Sequence, residues 1–94
     1  MVPYEWLAGA MERLAGVEPH EVLQVLGARW RRPVPAAGPM RLLTVWGRTR
    51  AGRPLIVVLR HEADLDYLIV AARQMTDTEA AEHARWERLQ EEEQ

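Results

Sequence analysis

Apolar side chains at Trp6, Leu7, Ala10 and Leu14 recur at helical spacing, which predicts a helix from Pro3 to about Ala15. Pro3 suits a first helical turn and Gly16 a stop. Val22, Leu23, Val25 and Leu26 predict a second, shorter helix from about Pro19, closed by Gly27. Residues 28–40, ARWRRPVPAAGPM, hold three prolines and a glycine, so they read as a loop. The pattern then changes to dense apolar runs of strand length. These are RLLTVWGRT from Arg41 to Thr49, RPLIVVLR from Arg53 to Arg60, and DYLIVAAR from Asp66 to Arg73. A turn at Gly52 joins the first two, and the short link HEADL joins the second to the third. Their middles are apolar at nearly every position, which predicts a sheet covered on both faces. Thr76 and Glu79 have the spacing of a capping box, so a last helix runs from Asp77 to about Gln90. The expected fold is α+β: two N-terminal helices, a three-stranded antiparallel sheet and a C-terminal helix.

A length of 94 residues implies a single domain spanning 1–94. Cysteine and serine are both absent, which removes disulfides, thiolate metal sites and both of those nucleophiles. No apolar run is long enough to cross a bilayer, and MVPYEWLAG does not read as a signal peptide. A cytoplasmic protein without a membrane partner is expected.

Charge changes the picture most. The formal net charge is -2, yet no acidic residue lies between Glu21 and Glu62. That stretch carries eight arginines: Arg29, Arg31, Arg32, Arg41, Arg48, Arg50, Arg53 and Arg60. Residues 62–94 carry ten acids against three arginines. An arginine-dense, acid-free segment suits phosphate or an acidic partner. Lysine is absent throughout, so every such contact falls to the planar guanidinium.

Period-two counting groups Trp46 with Arg48, Arg60 with Ile56 and Val58, and Arg73 with Tyr67 and Ile69. If those faces coincide, Arg48, Arg60 and Arg73 form a phosphate-binding cluster beside an aromatic ring. Arg50 in the hairpin turn and Trp30 among Arg29, Arg31 and Arg32 are further RNA-binding candidates, Trp30 through base stacking. His61 is the histidine nearest the arginine block and a candidate acid or base. His83 with Glu79 or Glu87 fits a salt-bridge face of a helix better than a metal site. No metal and no cofactor is expected.

The segment from Arg41 to Glu87 resembles the BrnT toxins of the RelE-like ribonuclease group. Gly52-Arg53 matches that family's hairpin Gly-Arg. Val70-Ala71-Ala72-Arg73 matches its Ile-Ser-Ala-Arg, with Ala for Ser. Glu79 and Trp86 match its last helix, and Trp6 its early Trp. The family's N-terminal Asp, Lys and His have no counterpart here. The resemblance implies a metal-independent RNA endonuclease, ribosome-independent or ribosome-associated, or a degenerate relative of one. It implies Arg53 and Arg73 as catalytic residues, to which the reading of the strands and turns adds Arg60 and His61, and an antitoxin of ribbon-helix-helix type as partner. The alternative is a non-catalytic interaction module whose basic sheet binds an acidic partner or a second copy in a homodimer.

Overall fold

The computed structural model describes residues 4–36, 38, 41–62 and 66–93. The strands are β1 (Tyr4–Trp6), β2 (Arg32–Pro35), β3 (Leu42–Arg48), β4 (Pro54–His61) and β5 (Tyr67–Gln74). The helices are α1 (Pro19–Leu26) and α2 (Asp77–Glu92), with one 3-10 turn at Ala10–Arg13. All the strands belong to one five-stranded sheet in the order β1-β5-β4-β3-β2. β1 runs parallel to β5, and every other pairing is antiparallel.

This corrects the expected architecture in three places. The predicted first helix is instead a strand followed by a 3-10 turn. Tyr4 and Trp6 lie opposite Tyr67 and Ile69, and the Leu7 N–H donates to the Ile69 carbonyl at 3.0 Å. Gly9 at φ 83° then takes the chain out of line, so the helical spacing of Ala10 and Leu14 is used over a single turn. Pro3 lies outside the described residues. Second, the predicted loop at 28–40 contains β2. Ala36 donates its N–H to the Leu42 carbonyl, so alternate residues point toward β3. Pro33 and Pro35 fall on the outward positions of an edge strand and cost no ladder bond. Third, the sheet is therefore five-stranded and mixed, not three-stranded and antiparallel.

α1 forms because Pro19 sits at its first turn and Glu18 and Glu21 form a capping box. Its Val22, Val25 and Leu26 are buried against Val45, Leu55, Val57 and Ile69, with Leu14 and Val17 closing the side. Gly47 is what lets the helix come this close. A Cβ at that position would stand 3.0 Å from Val25 Cγ1. α2 lies on the other face, and it buries only His83. Among the described residues no helix is long and apolar enough to cross a membrane.

Gly47→Ala is expected to overpack the α1 contact and cost about 1–3 kcal/mol. Urea denaturation of the two proteins measures this, and an unchanged midpoint would mean that α1 is free to move away from β3.

Candidate nucleic-acid interface

The face turned away from α1 is built by strand alternation. β3 presents Thr44, Trp46 and Arg48 there, because Val45 and Gly47 face the core. The register then lays Arg32, Trp46, Ile56 and Arg73 in one row across β2, β3, β4 and β5. Arg48 follows Trp46 two positions along, opposite Pro54. The row is ordered from within. Trp46 Nε1 donates to Thr44 Oγ1 at 3.2 Å, and that hydroxyl donates to the Val34 carbonyl at 2.6 Å. The Arg32 guanidinium sits 5.6 Å from the Trp46 ring centroid.

Arg73 joins this row through a β-bulge. Val58 pairs with Ala71 and Leu59 with Ile69, which leaves Val70 without a partner. The extra residue reverses the alternation. Tyr67 and Ile69 face the α1 side, and Arg73 faces the other. Period-two counting grouped Arg73 with Tyr67 and Ile69, and the bulge separates them.

α2 covers the row with carboxylates. Glu79 grips Arg73 through two bonds, of 2.6 and 2.8 Å. Glu82 pairs with Arg32 at 3.1 Å. Glu87 receives the Arg48 Nε–H at 3.0 and 3.1 Å. Between them His83 is fully buried and stacked on Trp86, with ring centroids 5.4 Å apart. Its Nε2 stands 3.5 Å from Glu87 Oε2, and neither ring nitrogen has a hydrogen-bond partner. Burial pushes the His83 pKa down; Glu87 opposes this, and Arg48 and Arg32 reinforce it. Burial thus favours the neutral form of the ring. The Arg73 bond, with the Thr76 N–H behind it, pulls Glu79 down to about 2. Arg73 is raised in turn by Glu79.

The other predicted residues go elsewhere. Arg60 is on the same face, but opposite Leu42 and Leu68 at the far end, and it pairs with Glu62 at 2.9 Å. It lies four residue steps along β4 from Ile56, about 13 Å. Arg53 reaches the α1 side. It binds Glu21 Oε1 at 2.9 Å, Gln74 Oε1 at 3.1 Å and the Gly16 carbonyl at 3.1 Å. It ties the β3–β4 hairpin to the start of α1 and the end of β5. His61 also faces the α1 side, its ring 5.0 Å from that of Tyr67. Arg50 is exposed in the hairpin turn, its backbone N–H held by Gln24 Oε1 at 3.1 Å. Trp30 lies between α1 and β2 with the Arg29 guanidinium 5.0 Å from its ring. The four predicted catalytic residues thus do not form one site, whereas Trp46, Arg48 and Arg73 do come together.

Sequence reasoning missed Arg32, because β2 was taken for loop. The attraction between the basic sheet and the acidic last helix follows from the charge blocks, but the sequence did not say that the contact runs through Glu79, Glu82, His83 and Glu87. With Trp86, those positions recur at i, i+3, i+4, i+7 and i+8, a helix face made of acids and rings where aliphatic residues would ordinarily lie. Among the described residues no three His, Asp or Glu side chains gather as a metal would require. Comparison with protein-family models, curated proteins and solved structures finds no match to the chain.

The Glu79 pKa sits below the ordinary 4.5, so its contribution to stability is full above that pH and is lost as pH falls toward about 2. Arg73 is half-exposed, which screens the pair. Glu79→Gln should cost about 1 kcal/mol at pH 7 through the cap and the ion pair together. Denaturant midpoints taken between pH 5 and about 2 should fall more steeply for the parent protein than for the variant.

Proposed function

We propose that this chain is an RNA-binding toxin of the BrnT-like kind, a metal-independent ribonuclease or a degenerate relative of one. Its phosphate-binding surface is the row of Arg32, Arg48 and Arg73 with Trp46. The observation that carries the reading is the convergence of three guanidinium groups on one sheet face around an indole. Arginines so spaced track a phosphate backbone, and an indole among them stacks on a base. They would also stabilise the charge of a phosphorane. Two positions of the family resemblance meet here, since Arg73 and Glu79 are bonded partners. Arg53, the other arginine of the resemblance, acts in this reading as a structural tie and not on RNA. In the toxin reading an antitoxin is the natural partner.

The second reading has its own observation. All three arginines of the row are already paired with carboxylates of α2. The surface thus recognises an acidic helix, and a partner's helix or that of a second copy would satisfy the same groups. In that case the protein is a non-catalytic interaction module.

Growth arrest on expression in a bacterial host, relieved by Arg73→Ala, is the result expected of the toxin. In vitro, the protein should retain single-stranded RNA with a log–log salt slope of about −2, as three phosphate contacts require. Arg53→Ala should lower the denaturation midpoint and leave that retention unchanged. RNA left uncut and unretained at low salt would discard the nuclease and favour the module.

A further inference from the structure

The two faces of the sheet are closed in different ways. Beyond α1 a cleft of about 420 Å³ lies between Tyr4, Tyr67, Arg29 and Arg31. On the other face α2 lies on the arginine row, and its apolar grip there is slight. Leu89 is 51% exposed, Trp86 is half-buried, and His83 is the side chain the helix buries fully. The rest of the attachment is three ion pairs: Glu79 with Arg73, Glu82 with Arg32 and Glu87 with Arg48. Only Met75 and Thr76 join the helix to β5. Met75 is buried and donates its N–H to the Pro54 carbonyl at 3.0 Å, so it belongs to the sheet. Thr76 and Glu79 form the cap, which lies wholly within the helix start. A swing of α2 about Thr76 therefore disturbs neither the sheet nor the cap.

His83 sits where such a swing would be felt. Neither ring nitrogen has a hydrogen-bond partner. The charged groups that face the ring are Glu87 on α2, Arg48 on β3 and Arg32 on β2. β5 brings Arg73 to the row, held by Glu79, and β4 brings Ile56 and no charge. Glu87 Oε2 stands 3.5 Å from Nε2, but both Glu87 oxygens already accept the Arg48 Nε–H. Each carboxylate of this contact is matched by one guanidinium. A proton on His83 thus adds a positive charge with no counter-ion of its own. A buried charge so placed is costly, and the cost disappears once the helix lifts and water reaches the ring.

We infer that α2 is a proton-linked lid, which lifts from the sheet when His83 is protonated and uncovers Arg32, Arg48 and Trp46. Burial holds the His83 pKa below its ordinary 6.5 in the closed form, and an exposed ring recovers that value. The closed form is therefore fully favoured above pH 6.5 and loses ground as pH falls below it. Glu79, at about 2, keeps its charge through this range, so its bond with Arg73 holds at the pivot. The lid itself does not need the ribonuclease reading; only the identity of the polyanion that meets the uncovered arginines rests on it.

The test is amide hydrogen exchange of the full chain, followed by NMR at pH 7.5 and 5.5 and corrected for intrinsic rates. A lifted α2 has no packing and frays as an isolated helix of its length does, so its amides report the opening. For a ring that is protonated only when open, the opening constant rises about tenfold over this range. Protection of the Ala84 to Leu89 amides should fall by about that factor, and the Arg48 Nε–H should lose protection with them. Val22 and Val25 of α1 should change less than about twofold. His83→Phe keeps an apolar ring and cannot titrate, so its α2 protection should be equal at the two pH values. His83→Leu serves in its place if the Phe protein does not fold. The inference is overturned if α2 protection in the parent changes less than about twofold, or if the change persists in a folded His83 variant. Single-stranded RNA should in turn be retained more tightly at pH 5.5 than at 7.5, by a factor that shrinks in the variant. No retention at either pH, with α2 opening as expected, discards the RNA reading and leaves the lid standing.

Discussion

One unpaired residue, Val70, decides how the two sides of this sheet are built. β5 must supply Tyr67 and Ile69 to the apolar side and Arg73 to the charged side. A regular strand cannot do so, because residues separated by an even number share a face. The bulge shifts the alternation by one residue between Ile69 and Ala71. Without it Arg73 would point toward α1, opposite Leu55 of the core. Glu79 would then lack its partner, and α2 would begin without its strongest link to the sheet.

The two helices are held by different physics. α1 is seated by fully buried valines and a glycine that admits them, which is packing that tolerates little change. α2 is seated by ion pairs whose members are partly exposed, each contributing at most about 1 kcal/mol. Its one fully buried side chain is a histidine with no hydrogen-bond partner. A buried ring in that state adds apolar contact but also a desolvation cost. Leu89, toward its end, remains half-exposed. The cover over the arginine row is thus the more easily displaced of the two helices, and a polyanion and α2 would compete for the same guanidinium groups.

What was legible in the sequence follows the range of the interactions. β3, β4 and β5 announce themselves through their own apolar runs, and their ends fall within about two residues of the expected ones. α1 and the start of α2 are written in local caps, Glu18 with Glu21 and Thr76 with Glu79. β1 and β2 are not local. Tyr4–Trp6 is a strand only because the edge of β5 is there to receive it. Arg32–Pro35 is one only because its prolines can face solvent from an edge. The same division governs the site. Arg48 and Trp46 could be placed together by counting along one strand. The side to which Arg73 points depends on a bulge that counting cannot see, and the role of Arg53 depends on Glu21, thirty-two residues away.

The acid-free stretch from Arg29 to Arg60 is continuous in the chain and dispersed in space. Arg32 and Arg48 lie beneath α2, Arg29 and Arg31 line the cleft beyond α1, and Arg53 clasps the hairpin to α1. A strand sends alternate residues to opposite faces, so a run of charge along β2 and its approach must divide between them. The division of Arg31 from Arg32 is that rule at its smallest scale. Arg32 turns to an acidic helix, while Arg31, the next residue, turns to an aromatic cleft. The acids could not be spread in the same way. Glu79, Glu82 and Glu87 occupy one helix face, where a period near 3.6 keeps them together. The dispersed arginines therefore meet different surroundings: the acidic helix on one face, and Glu21 and the aromatic cleft on the other.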